Sequence, residues 1–418
     1  MGAPVAKTAQ SGKTPRSVEE HRAVVAALLQ PSPVEDVPLA ELRGRVLAAD
    51  LVAPMSLPSF PNSAMDGYAV RAAELAGASP ESPVELPVAE DIPAGRVDVP
   101  PLAPGTVHRI MTGATVPEGA DAVVQVEFTD GGAERVRIFR APAAGTHVRT
   151  VGEDVHAGDV LLRAGTELRA PQIGLAAAVG AATLPVRRRP VVLVLSTGSE
   201  LVEPGTPLQP GQIYESNGPM LAAAVEEAGG QAELLRFVPD DVDELLSTLR
   251  KRIEQSGVDL VLTSGGVSAG AYEVVKDAFT DRGVEFVRVA MQPGGPQGAG
   301  RVTELGEVPV VTLPGNPVSS QVSFEVFVRP ALRAALGHPH PDRPIVNAKL
   351  GQSFVSPEGK RQFRRGVLDA VRGTVAEVGS PASHLLGSLA VAECFIIVPE
   401  AATELPEGSP VEVWLLDG

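Results

Sequence analysis

The sequence predicts a multidomain α/β protein, and three observations carry that expectation. From about Arg189, apolar strand-like runs alternate with amphipathic helices over about 150 residues, the rhythm of a mainly parallel sheet. Between Leu57 and about Val155 the pattern is instead short β-type runs broken by Gly and Pro, as in a small β-rich domain. After the turn-rich Gly337-His338-Pro339-His340-Pro341, alternating segments predict a small all-β unit. At 418 residues the chain also exceeds what one compact core supports.

The elements follow in order. Residues 1–16 read as a disordered tail of small and polar residues. Ser17 and Glu20 make a capping box, after which Val18, Val24, Val25, Leu28 and Leu29 share one helical face. A second helix is predicted over Leu39–Leu47. In the β-rich part, Ala122–Phe128 and Val136–Phe139 are the clearest strands. The α/β part is predicted as a strand at Pro190–Leu195, a helix at Asn217–Ala228 ended by Gly229-Gly230, a strand at Ala232–Val238 and a helix at Asp241–Gln255. A strand at Asp259–Thr263, a helix at Tyr272–Thr280, strands at Glu285–Val289 and Val308–Leu313, and a helix at Val318–Leu336 complete it. Beyond the linker, Val391–Val398 and Val411–Leu416 alternate as strands.

Composition narrows the function classes. Hydrophobic residues make up 44% and charged residues 21%, an ordinary globular balance, while aromatics are only 4%, so the cores rest on Val, Leu, Ala and Ile. The net charge of −16 argues against nucleic acid or an anionic membrane as the main partner. A local nest of backbone N–H groups still binds an anionic small ligand whatever the global charge. The one cysteine, Cys394, lies in the apolar run Ala392–Val398 and is expected as a buried, inert thiol. One cysteine allows no intramolecular disulfide, which fits a reducing compartment. Met1 to Arg16 has no apolar stretch of signal-peptide type, and Ala6 breaks the myristoylation pattern. No run approaches transmembrane length. A cytoplasmic protein without membrane insertion is expected.

The sharpest constellation begins at Asp259. An apolar strand runs into Ser264-Gly265-Gly266-Val267-Ser268-Ala269-Gly270 and then into a helix. Such a loop aims backbone N–H groups at an anion, and glycine lets the backbone approach phosphate closely. A merely tight turn between strand and helix is the competing structural reading. Gly266 to Gly270 also matches the G-x-S-x-G elbow of α/β-hydrolases, but only His338, His340 and His384 follow, two of them in the Pro-rich linker with no obvious acidic orienter. Two further strand ends, Ser196-Thr197-Gly198-Ser199-Glu200 and Leu313-Pro314-Gly315-Asn316-Pro317-Val318-Ser319, carry Gly with hydroxyl or amide groups. Together the three predict a polar rim along one sheet edge. Asn62 to Ala69, around Asp66, and Thr112-Gly113 read by composition as turns. The histidines show no metal-ligand spacing. Lys360, Arg361, Arg364 and Arg365 around Phe363 form either a solvated face or a local oxyanion clamp.

Taken in order, these blocks resemble the MoeA/gephyrin E family. The run Leu57-Pro58-Ser59-Phe60-Pro61-Asn62-Ser63-Ala64-Met65-Asp66-Gly67-Tyr68-Ala69-Val70 is close to that family's N-terminal signature. Ile110 to Ala114, Val151 to Asp154, Ser196 to Leu201, Ile213 to Asn217, Thr263 to Ser268 and Leu313 to Ser319 follow at the expected places. Phe363-Arg364-Arg365-Gly366 and Ser383-His384 extend the match, more loosely, into the C-terminal part.

The resemblance implies an elongated, four-subdomain MoeA-like architecture and a homodimer. Its parts would be a discontinuous helical and linker subdomain (17–57 and 156–185), a β-rich insertion subdomain (58–155), an α/β molybdopterin-binding subdomain (186–338) and a C-terminal β subdomain (339–418). The implied chemistry is cleavage of adenylylated molybdopterin, releasing AMP, coupled to insertion of molybdate with Mg²⁺ assistance. In that reading Ser264, Gly265, Gly266 and Ser268 hold phosphate, and Asn217, Asn316, Ser319 and Pro296 line the pterin cleft. Glu200 and Asp240 are carboxylates for metal or water, with Glu273 a further acid. Asp66 and Thr112 reach the cleft from the partner subunit, and Arg365 and Ser383 meet the molybdate oxyanion. An adenylyltransferase-type enzyme is the implied upstream partner.

Two segments depart from the family. Where it has Lys-Pro-Gly-Lys-Pro, this chain has Gln292-Pro293-Gly294-Gly295-Pro296, and Glu273 stands for the expected Asp. The missing lysines leave two alternatives. Either the enzyme uses other basic groups such as Lys360 or Arg361, or the chain is a gephyrin-like scaffold that binds a segment of another protein.

Overall fold

The computed structural model describes residues 14–198, 200–235, 241–265 and 274–416. The candidate residues Asp240, Gly266, Ser268 and Glu273 lie outside the described residues, as do Tyr272, the start of a predicted helix, and the end of the strand predicted at 232–238.

The first helix is Val18–Leu28, and both arms of its capping box are made: Glu20 N–H donates to Ser17 Oγ at 3.1 Å and Ser17 N–H to the Glu20 carboxylate at 2.9 Å. Its buried face, Val18, His21 and Val25, packs onto the α/β core, with the His21 ring edge-on to Phe327 at 4.8 Å. Order begins before the helix. Arg16, expected in the tail, donates its N–H to Arg288 O at 2.8 Å and accepts from Ala290 N–H at 2.8 Å. The helix predicted over 39–47 is absent: a single 3₁₀ turn, Leu39–Glu41, ends at Leu42, and Gly44 follows at φ +73°. Leu42, Val46 and Leu47 point into the core from an irregular path, so their apolar spacing reflects burial without helix. Val34–Pro38 pairs antiparallel with Thr183–Arg187, joining sequence-distant parts of the chain.

The β-rich insertion is a five-stranded sheet in the order Ala122–Gln125, Gly67–Val70, Val107–Ile110, Val84–Ile92, Arg135–Ile138. Gly67 sits where a Cβ would fall 1.9 Å from Val124 O, so only glycine permits that strand crossing.

The α/β unit holds a six-stranded sheet among the described residues. Its order is Gln231–Leu235, Val191–Ser196, Leu260–Ser264, Val308–Leu313, Pro296–Val302, Val284–Arg288; the first four strands pair in parallel, and Pro296–Val302 runs antiparallel to both of its neighbours. Val192, Val194, Leu260 and Leu262 face one core; Val191, Leu193, Leu195 and Val261 face another. Both faces are covered, which is why these strands read as unbroken apolar runs. The strand Pro296–Val302 has no such run. Gly298 and Gly300 are required instead, because a Cβ at Gly300 would lie 1.9 Å from Gly283 O. The predicted helix 318–336 is observed as Pro317–Ser323, a π stretch Phe324–Val328 and Arg329–Ala335. Glu325 in that stretch is buried and pairs with Arg343 at 2.9 Å and Arg329 at 3.7 Å, tying the helix to the segment beyond the linker.

The C-terminal strands Ile345–Leu350, Arg361–Asp369, Thr374–Glu377, Cys394–Val398 and Pro410–Leu415 form one sheet that also takes in Met291–Gln292, parallel to Arg361–Gln362. A strand of the α/β unit's own loop therefore belongs to the C-terminal sheet. Cys394 is buried as expected, and burial pushes its thiol up to about 12. Among the described residues no helix is long and apolar enough to cross a membrane.

Candidate active site

The parallel strands Val191–Ser196 and Leu260–Ser264 are neighbours, yet the chain leaves them in opposite directions along the sheet: to Gln231–Leu235 on one side and to the edge strand Val284–Arg288 on the other. This is the topological switch point at which doubly wound sheets bind ligands. A cleft of about 1030 Å³ opens there, between the strand ends and a wall from the C-terminal part. Eight of the sequence-predicted residues line it: Glu200, Asn217, Ser264, Gly265, Pro296, Asn316, Ser319 and Ser383.

The floor is built from backbone closeness. Gly265 stands at φ +96°, its N–H bonded to Leu313 O at 3.1 Å, and a Cβ there would be 2.8 Å from Thr197 O. Asn217 opens the helix Asn217–Glu227 and donates from Nδ2 to Ser264 Oγ at 2.8 Å and to Gly315 O at 2.7 Å. One amide at a helix start thus joins two of the three strand-end loops. Ser264 differs from expectation in one respect: its hydroxyl is buried, also meeting Ser320 Oγ at 3.2 Å and Pro314 O at 3.3 Å, so its side chain acts as a tie. Two buried polar atoms at the floor, Asn217 Oδ1 and Ser196 Oγ, have no partner among the described residues. Buried polar atoms left unpaired are costly, and both belong to residues that line the cleft.

The opposite wall comes from 288–296, Lys360 and the segment 381–386. Asn316 Nδ2 donates to Ser383 Oγ at 2.7 Å, and Val318 N–H to Ser383 O at 3.1 Å. Arg365, expected at the oxyanion, is instead buried behind this wall. Its guanidinium donates to Ala382 O at 3.1 Å and to Ser380 O, so it positions the loop bearing Ser383; burial lowers its pKa. Gln292 accepts from Gln362 Nε2 at 3.2 Å, Gln362 accepts from Arg364 Nε at 2.6 Å, and Arg364 pairs with Glu377 at 3.2 Å. Burial raises the Glu377 carboxyl against the pull of that guanidinium. Arg361, one of two basic groups offered in place of the lysines, turns away to Glu19 at 2.5 Å and Glu400 at 2.8 Å. Lys360 lines the cleft, as do Arg288 and His384. Arg288 was missed; it ends a strand that also carries Glu285, and no motif marked it.

Asp66 and Thr112 are together but outside this cleft. Asp66 Oδ1 accepts from both the N–H and the hydroxyl of Thr112 at 2.7 Å, and those two bonds hold its pKa below the usual carboxylate range. Phe60 and Met65 are exposed beside them in sequence. The hydrolase pattern finds no support: His338 is buried against Arg333 at 3.2 Å, and His384 makes no side-chain bond to an acid among the described residues. No group of three or more His, Cys, Asp or Glu among the described residues is placed to hold a metal. Magnesium needs less than that, being commonly held by one or two carboxylates with substrate phosphates, and Glu200 on the open rim fits such a role.

Fold and cleft define a multidomain α/β protein with an open cleft at the sheet's switch point, walled on its far side by a β domain. Models of the MoeA N-terminal region (domain I and II), of a probable molybdopterin binding domain and of the MoeA C-terminal region (domain IV) match residues 16–180, 193–334 and 347–416. The chain belongs to the MoeA family. It is 56% identical over 406 residues to molybdopterin molybdenumtransferase 2 of Mycobacterium tuberculosis, covering 96% of this chain and 99% of the relative. It is 35% identical to the molybdopterin molybdenumtransferase of Bacillus subtilis, covering 97% and 95%. A crystal structure of the molybdopterin biosynthesis MoeA protein from Pyrococcus horikosii superposes with a TM-score of 0.81 at 32% identity, covering 97% of this chain and all of that one. The expected MoeA-like architecture holds, and the gephyrin-like scaffold is not favoured, since relatives matched over nearly their whole length are molybdenumtransferases.

Proposed function

We propose that the chain is a molybdopterin molybdenumtransferase: it takes adenylylated molybdopterin, inserts molybdate and releases AMP. The observation that carries this is the cleft itself, where an α/β switch point lined by Ser, Asn and Gly is walled by Ser383 from the C-terminal sheet. The resemblance of the whole chain to named molybdenumtransferases supports it.

In this reading Ser264, Gly265, Gly266 and Ser268 hold the phosphate, their glycines allowing close approach. Asn217 and Ser319 orient the ligand, with Asn217 Oδ1 free to accept from it. Pro296 shapes the opposite side, Asn316 reaches across to Ser383, and Arg365 holds the Ser383 loop in place. Glu200 and Asp240 would hold Mg²⁺, which offsets charge on the scissile anhydride when bound. Glu273 is a further acid of this reading. The protein acts as a cytoplasmic homodimer, and Asp66 and Thr112 complete the partner's cleft. An adenylyltransferase-type enzyme supplies the substrate.

The test is complementation of a bacterial strain lacking its molybdenumtransferase, with AMP release from adenylylated molybdopterin measured on the purified protein. Restored molybdoenzyme activity and molybdate-dependent AMP release are expected. A folded protein that does neither overturns the reading.

A further inference from the structure

We propose that Lys360 and Arg288 are the cations that take a doubly charged tetrahedral oxyanion in this cleft, the charge having moved there from positions 292 and 295. The inference rests on the molybdenumtransferase reading and names the groups that make its anion site work in this chain.

Among the described residues lining the cleft, Lys360 and Arg288 are the only lysine or arginine. Both are exposed, and neither side chain makes a hydrogen bond or ion pair with a described residue. Their neighbours are engaged: Arg16 with Glu285, Arg361 with Glu19 and Glu400, Arg364 with Glu377. In a chain with 51 acidic and 35 basic residues, two cations left without partners at one cleft mark a place where an anion is received. The same cleft carries the carboxylates Glu200 and Glu215, but the Glu215 carboxylate is occupied by the Gly218 N–H at 2.7 Å.

The backbone explains why these two work together. Arg16 N–H donates to Arg288 O, Ala290 N–H to Arg16 O and Arg361 N–H to Ala290 O, at 2.8, 2.8 and 3.0 Å. Arg288 and Lys360 therefore leave one hydrogen-bonded strip, each within two residues of the Ala290–Arg361 contact. The segment 292–296 continues from that strip. It brings no charge, since Gln292 carries a neutral amide, its oxygen bonded by Gln362, and Gly295 has no side chain. Ser383 and Asn316 supply hydroxyl and amide groups on the same cleft. A guanidinium fork and a mobile ammonium together suit a tetrahedral dianion. That dianion is either free molybdate or the phosphate of the pterin.

The test is calorimetric titration of the full-length protein at low salt with molybdate and, separately, inorganic phosphate. Lys360→Gln and Arg288→Gln are each expected to weaken binding about tenfold, and Lys360→Arg to restore it. Arg361→Gln should stay within about twofold, because its charge is spent on Glu19 and Glu400. Weakening for molybdate alone assigns the site to the metal oxyanion, and for phosphate alone to the pterin phosphate; either supports the inference. Wild type that binds neither anion, variants that bind both as tightly as wild type, or an equal loss in Arg361→Gln overturns it. Wild-type AMP release, measured alongside, separates the two claims. If release persists while the variants bind like wild type, the cation assignment fails and the transferase reading stands; if wild type binds anions through these residues without releasing AMP, the transferase reading fails alone.

Discussion

Asn316 Nδ2 donates to Ser383 Oγ at 2.7 Å, a side-chain bond between the end of the parallel sheet and a loop of the C-terminal sheet. It sets where the far wall of the cleft stands. Asn316→Ala removes the donor without opening a large cavity, so it should lower stability by about 1 kcal/mol. It should lower molybdate-dependent AMP release far more than that, because Ser383 loses its orientation. Thermal melts and AMP assays run on the same preparation decide the matter, and full activity in the variant would remove Ser383 from the site.

Adjacent glycines at 294 and 295 are not equivalent. Gly294 stands at φ +102°, with a built Cβ 2.7 Å from Ser323 Oγ; a Cβ at Gly295 meets nothing nearer than Val289 O at 3.5 Å. Gly294→Ala should therefore cost more than about 1 kcal/mol, whereas Gly295→Lys should melt like wild type. If the lysine cation reaches the cleft, oxyanion affinity rises as well. A cooperative melt shifted down strongly by Gly295→Lys would contradict this geometry.

Glu325 is buried between Arg343 and Arg329, with a further bond from Gln321 at 3.1 Å. Removing the carboxylate takes away a buried anion that two guanidinium groups share. Glu325→Ala is expected to destabilise by about 3–5 kcal/mol in urea denaturation. A loss below about 1 kcal/mol would mean that water or another acid takes its place.

Acid should destabilise the fold through two histidines. Burial, and secondarily Arg16 beside His21 and Arg333 beside His338, lowers both imidazoles to about 4. In the unfolded chain they protonate near 6.5, so between about pH 6.5 and 4 the unfolded state binds more protons and stability falls with falling pH. Each shift corresponds to about 3 kcal/mol across that window. The melting temperature should be level above pH 7 and decline below it, with a shallower decline in His21→Gln. A level profile down to pH 4.5 would show that these rings charge without unfolding.

Asp66 and Thr112 are tied to each other and sit outside the cleft of their own chain. Asp66→Ala should melt like wild type yet fail in complementation, and light scattering should give twice the 43.3 kDa chain mass. Co-expressing Asp66→Ala with Glu200→Ala should restore activity, because one mixed cleft then carries both acids. Failure of every mixed preparation would place Asp66 outside the reaction.

The parallel core was legible because both faces of its strands are buried, leaving apolar runs at 191–196, 260–264 and 308–313. The strand 296–302 was not, since its place depends on what glycine lacks at 298 and 300. Apolar spacing misled at 39–47, where Leu42, Val46 and Leu47 are buried without a helix. In the site, the strand-end loops were readable as motifs, and the structure brings eight candidates to one cleft. The roles of Ser264 and Arg365 were not readable: a hydroxyl used as a tie and a guanidinium turned onto carbonyls depend on partners distant in sequence. Arg288 became visible only once the backbone strip through Ala290 was formed.

Met291–Gln292 lies in the α/β unit by sequence and in the C-terminal sheet by hydrogen bonding. The turn-rich stretch at 337–341 consequently marks no seam along which the molecule comes apart. A fragment ending there would keep its parallel sheet but lose the partner strand of its own cleft wall, leaving an unpaired edge beside the ligand. Calorimetry of the intact chain should show the two regions melting in one transition, and a protease that nicks the linker should leave both halves associated.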